Sequence, residues 1–230
     1  MSVDLSWKGV YKASGLSLLT GGAIVIIFLF LVFLFQVQLP LAAQSVLDAP
    51  LEPVFLFSLA AFGEFLLMPG VLGLYFSLKD VNKSQAFLGT AVFLIAIPMF
   101  LISRGQVISL VAISDSYVAT TDATMRAAYL ATAHFALEVS GVFAIMALAL
   151  FGVGSVVIGL VMSKGVFSKR IAYLVIIAGT LTVIGTFGVL LEPLTIGTLF
   201  GLILSGFWQI ILGVKLYKLG DSYGMEKDRF

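Results

Sequence analysis

At 230 residues, with 60% hydrophobic and 11% charged side chains and a mean hydropathy of +1.14, the chain has too little polar surface to face water on all sides, which excludes a soluble globule. The formal net charge of +1 removes any overall electrostatic case for nucleic acid, and the lack of cysteine excludes disulfides, thiolate nucleophiles and Cys-ligated metal centres. Repeated apolar runs of about 20 residues or more define an all-α polytopic membrane protein, one six-helix domain over residues 1–230.

The predicted spans, in chain order, are roughly 14–36, 54–78, 87–113, 123–162, 171–191 and 194–217. The first runs uninterrupted from Ala13 to Phe35 and is read as a span. A cleavable signal core is shorter, about 7–15 residues, so Lys8 and Lys12 before the run and Leu41-Ala42-Ala43 after it are not taken as a signal peptide. The second carries Glu64 and Pro69, the third Pro98 and Arg104, and both prolines are expected to kink their helices. The fourth run starts at Asp122 as N-cap and reaches Met162 without a polar turn, about 60 Å of helix against a hydrocarbon core of about 30 Å. It is read as one long helix, bent near Gly141 or Gly152-Val153-Gly154, whose N-terminal third stands on the outer side and forms a capping hairpin with the end of span three. Glu192-Pro193 begins the short turn between the last two spans.

Six spans place both termini on one side. Lys8, Lys12, Lys79, Lys83, Lys164, Lys169, Arg170, Lys215, Lys218, Lys227 and Arg229 all fall on that side, so it is cytoplasmic and the chain is a multi-pass protein of the cell membrane. Trp7, Tyr11, Tyr75, Tyr173 and Tyr217 fall at the inner boundary, Tyr117 and Tyr129 at the outer. Glycine, at 23 residues, supplies small faces within spans: Gly70 and Gly73 after Pro69, and the ladder Gly197, Gly201, Ser205 in the last helix. The ladder has two readings, packing within the bundle or the seam of a homodimer.

Ionisable groups at membrane depth are costly, which makes the few present the default site residues. Counting at about 1.5 Å per residue from the inner boundary puts Glu64 near 20 Å, Arg104 near 26 Å, Glu192 near 32 Å, Glu138 near 36 Å and His134 near 42 Å. They suggest an outward-opening polar pocket around Arg104, with Glu138 as its expected ion-pair partner and Glu64 next. Two roles compete for Arg104. It either snorkels or forms a structural ion pair, or its planar fork anchors a carboxylate or phosphate, including a lipid headgroup. His134 and Glu138, at i and i+4, are the one metal-like spacing. Two ligands fall short of the three that a catalytic metal usually takes, and the chain has a single histidine, so neither a metal nor another cofactor is expected. No G-x-S-x-G elbow, Walker A, Rossmann fingerprint or EF-hand loop is present, and no catalytic residue is assigned.

The stretch Gly159–Gly179, GLVMSKGVFSKRIAYLVIIAG, together with Leu74-Tyr75, Arg104 mid-way along the third span and His134 at the start of the fourth, resembles an uncharacterised family of prokaryotic six-helix integral membrane proteins, known only as a domain of unknown function. Ser168 stands where that family has proline. The resemblance implies a six-helix fold with the arginine and the histidine on facing helices, and no activity. Three functions follow from the residues. The chain binds or passes a small anion or lipid headgroup at the Arg104 pocket without chemistry, its partner being membrane lipid; or it is an accessory subunit of a larger membrane complex; or it is an intramembrane metal-dependent hydrolase built on His134, Glu138 and another carboxylate.

Overall fold

The computed structural model of the chain describes residues 7–35, 41–165 and 167–227, with side chains described for all of these but Val189, Glu192 and residues 222–227. Helices α1 (Lys8–Leu34), α2 (Ala43–Asp48), α3 (Leu51–Leu78), α4 (Lys83–Ser109), α5 (Val111–Ala119), α6 (Ala123–Met162), α7 (Lys169–Thr186) and α8 (Thr195–Lys227) account for nearly all of it, and two 3-10 turns, Phe187–Val189 and Glu192–Leu194, join α7 to α8. Among the described residues six helical segments are long and apolar enough to cross a membrane.

The span boundaries follow local chemistry. Asp122 caps α6, its side chain accepting from the backbone N–H of Thr124 at 2.7 Å and of Met125 at 3.4 Å, and the helix then runs unbroken for 40 residues. Asn82 caps α4 through the Gln85 N–H. Pro69 and Pro98 lie inside α3 and α4, and neither ends its helix. Leu110, with φ −65° and ψ −20°, keeps helical backbone between α4 and α5, which prolongs the third span to Ala119.

The six long helices form a ring in the order α1, α3, α4, α6, α7, α8, closed by α1 against α8. Glycine sets how closely neighbours approach. On the α1–α8 seam, a Cβ at Gly15 would lie 2.7 Å from the Gly213 carbonyl oxygen, and one at Gly22 would lie 2.7 Å from that of Gly206. Both pairs repeat every seven residues, so the two backbones touch at successive levels.

Gly197 and Gly201, expected either to pack internally or to form a dimer seam, are buried against α7. A Cβ at Gly201 would lie 2.7 Å from the Thr182 backbone nitrogen, and one at Gly197 would lie 3.0 Å from the Leu181 carbonyl oxygen. Ser205 is buried as well and faces the interior. These contacts pack the ladder against α7 and the interior of the bundle.

One half of the ring is filled. Leu67, Val71, Leu74, Phe93, Ile97, Phe100, Phe151, Ile158, Trp208 and Leu212 belong to one buried cluster, and Phe151 lies between Phe93 (edge-on, 5.1 Å) and Trp208 (stacked, 6.4 Å). At this end Trp7 stacks on Phe76 at 3.9 Å, Lys79 sits over Trp7, and Lys12 pairs with Asp221. The aromatic and basic residues assigned to one membrane boundary therefore meet at one end of the bundle. At the other end α2, α5 and the start of α6 make a second apolar cluster of Ala43, Val46, Leu47, Leu110, Tyr117, Ala133 and Ala136, and the Ser114 hydroxyl donates to the Leu47 carbonyl at 2.7 Å. A hairpin of α5 with the start of α6 is present in this cluster, with α2 as a third member.

Candidate functional site

The half of the ring left unfilled holds a cavity of about 1420 Å³, walled by all six long helices. Its wall runs over Val25–Leu34 of α1, Phe57–Leu67 of α3, Phe100–Val107 of α4, His134–Phe151 of α6, Gly185 and Thr186 of α7, and Thr195–Gln209 of α8. On α1, α4, α7 and α8 these residues belong to the half away from the Trp7–Lys12–Lys79 end, and on α3 and α6 they run past mid-helix, as far as Leu67 and Phe151. Phe100 and Phe151 line the cavity and belong to the filled cluster, so aromatic packing closes it at that level. From Thr195 to Gln209 the cavity follows α8 for about 21 Å.

Near the closed end Arg104 reaches from α4 to Glu64 on α3. Its Nε–H donates to Glu64 Oε1 at 3.1 Å and its Nη2–H donates to the same oxygen at 2.7 Å. Glu64 is buried, 7% exposed as a whole residue. Phe57, Phe28 and Phe100 surround the guanidinium, their ring centroids 5.2, 5.9 and 5.7 Å from its central carbon, within cation–π range. Carboxylate and aromatic faces together offset the desolvation of a cation at this depth.

The pairing corrects the expectation that Arg104 meets Glu138. Ser103 and Arg104 are consecutive on α4, so their side chains point about 100° apart. Ser103 faces α6, where its hydroxyl lies 3.1 Å from that of Ser140, and Ser140 in turn donates to the Ser103 carbonyl. That leaves Arg104 directed at α3 and α1. Glu138 lines the same cavity from α6 but is exposed, as is His134 one turn earlier. Among the described residues no group of three His, Asp or Glu is placed to hold a metal. Glu192 opens the second 3-10 turn, and its side chain lies outside the described residues.

Gln209 is not among the residues that the sequence singles out, and Ser205 stands out there only as a small residue. Both are 1% exposed and line the cavity, and Ser205 Oγ and Gln209 Oε1, like Glu64 Oε2, have no hydrogen-bond partner. Their signal was the i, i+4 spacing of two polar groups in an otherwise apolar helix. Comparison with family models, with curated proteins and with solved structures finds no match for this chain. The site's own geometry therefore carries the functional argument.

Proposed function

We propose that this membrane protein binds an amphipathic, lipid-class molecule in the cavity, its polar end at the Arg104–Glu64 pair and its apolar part against α1, α6 and α8, without chemical conversion. The observation that carries this reading is the cavity itself: at about 1420 Å³ it exceeds the roughly 300–1,000 Å³ usual for small-molecule sites, and its wall is mostly Leu, Val, Ile and Phe around the Arg104–Glu64 ion pair. A small free anion is a weaker fit, because Glu64 already balances the guanidinium and the long apolar wall offers such an ion nothing.

Size and access agree with a lipid. The depth of about 21 Å exceeds the roughly 15 Å that one leaflet contributes to a hydrocarbon core of about 30 Å, which leaves room for a tail and a head. Phe33, Leu34 and Leu199 line the cavity and are 82%, 56% and 48% exposed, so the entrance is apolar and suits a molecule arriving from the bilayer. With the lysine-rich end cytoplasmic, as the residue distribution predicts, the entrance belongs to the outer leaflet.

The test is mass spectrometry of lipids extracted from protein purified in mild detergent, comparing wild type with the cavity-filling variant Ala144→Phe/Leu202→Phe. A lipid species should co-purify near one per chain with wild type and fall severalfold in the variant. Equal recovery from both would refute the reading.

A further inference from the structure

We infer that the closed end of the cavity selects a neutral headgroup bearing hydroxyl groups, as in a glycerol or other polyol head, rather than a phosphate or an amine. The inference rests on the reading of the cavity as a lipid-class site and names the head it would take.

Three oxygen atoms carry it. Because Glu64 Oε1 receives both Arg104 donors, Oε2 is left buried and without a partner, as are Ser205 Oγ and Gln209 Oε1. All three residues line the cavity, and each of these oxygens is covered by its neighbours, so a ligand reaches it through a turn of the side chain. The other partnerless buried atoms, Thr90 Oγ1 and Trp208 Nε1, belong to residues off its wall. The three also lie close in height. A Cβ at Gly21 of α1 would meet the Gly63 carbonyl oxygen at 3.2 Å, and one at Gly22 would meet the Gln209 Cβ at 2.8 Å. Helices α3 and α8 therefore close on the same turn of α1, and Glu64 and Gln209 flank it, with Ser205 one turn along α8 on the same face. What the wall holds here is two acceptors and one hydroxyl short of partners. A buried acceptor left unmade forfeits its full hydration, so a ligand that donates gains more from this end than one that only accepts.

Charge decides among donors. Arg104 and Glu64 already sum to zero, so an ammonium would leave one uncompensated positive charge in a low-dielectric site, and a phosphate would leave negative charge beside Glu64 Oε2. Hydroxyl groups satisfy the acceptors and leave the balance unchanged. The serine hydroxyl can donate as well as accept, which suits a polyol that does both.

The experiment measures binding of three amphiphiles with the same acyl length, a monoacylglycerol, an alkyl phosphate and an alkylamine, to detergent-solubilised full-length protein by native mass spectrometry. Wild type is compared with Ser205→Ala and, separately, Gln209→Leu. The monoacylglycerol should bind tightest, and each variant should weaken it by about 3- to 10-fold, the loss of one neutral hydrogen bond, while alkyl phosphate binding stays within about twofold. Tighter binding of the phosphate or the amine, or monoacylglycerol affinity unchanged in both variants, would overturn the headgroup assignment while leaving the cavity reading intact. Failure of all three amphiphiles to bind would overturn both.

Discussion

Arg104 shows how a single costly residue is accommodated at membrane depth. Its side chain is 16% exposed and that of Glu64 10%, so neither is screened as a surface pair is, and removing one partner strands the other. Arg104→Leu and Glu64→Gln should each destabilise the protein by about 3 kcal/mol. The double variant should lose less than the sum, a coupling readable by a double-mutant cycle on thermal unfolding in detergent. Glu138→Gln should show no coupling to Arg104→Leu, since Glu138 stands exposed on another wall. The sequence made Arg104 legible as a buried cation that needs a partner. It did not show which carboxylate, because height along a helix follows from counting residues, whereas facing depends on 100° steps and on which neighbours flank the helix. Ser103 facing Ser140 settles that for α4, and no periodicity in an almost uniformly apolar helix announces it. Ser205 and Gln209 were obscured for the same reason: buried polarity is informative only once the enclosing walls are known.

At the scale of elements, the bundle depends on backbones brought together where glycine permits. Gly15→Ala and Gly213→Ala place a methyl group against the α1–α8 partner backbone, at 2.7 and 2.6 Å from a carbonyl oxygen, and overpacking of this kind costs about 1–3 kcal/mol. Gly141→Ala meets nothing within 4 Å and should leave the melting temperature within about a degree of wild type, or raise it slightly because alanine favours helix. Thermal melts of the three variants check this directly, and equal effects at all three sites would count against the seam. The long helices were readable from length and hydropathy, α6 to the residue at both ends, since Asp122 supplies a cap and no polar turn interrupts the run. Short α2 and the extension α5 were not readable as elements, for they hold together by packing on each other and on the start of α6 through Val46, Leu47, Leu110 and Tyr117 rather than by spanning length.

For the whole molecule, the distribution of lysine and arginine predicts the Trp7–Lys12–Lys79 end, and with it both termini, on the cytoplasmic side. The chain has no cysteine, so single substitutions at exposed positions report orientation cleanly: Lys164→Cys should react with a membrane-impermeant maleimide only after permeabilisation, and Asp48→Cys in intact cells. The reversed pattern would invert the topology and move the cavity entrance to the inner leaflet. Helix number and class follow from composition, but the ring order and the space it encloses do not. Those arise from which glycine faces meet, above all α1 closing on α8, and that closure leaves the half-ring above Phe100 and Phe151 unfilled. The central claim is that an amphiphile occupies this space with its polar end at Arg104 and Glu64. The most direct measurement is an experimental density map of the protein reconstituted in native lipid. Elongated density running from the Arg104–Glu64 pair past Leu202 toward Leu199 is the predicted result, and a cavity closed by side chains or holding only separate water peaks would contradict it.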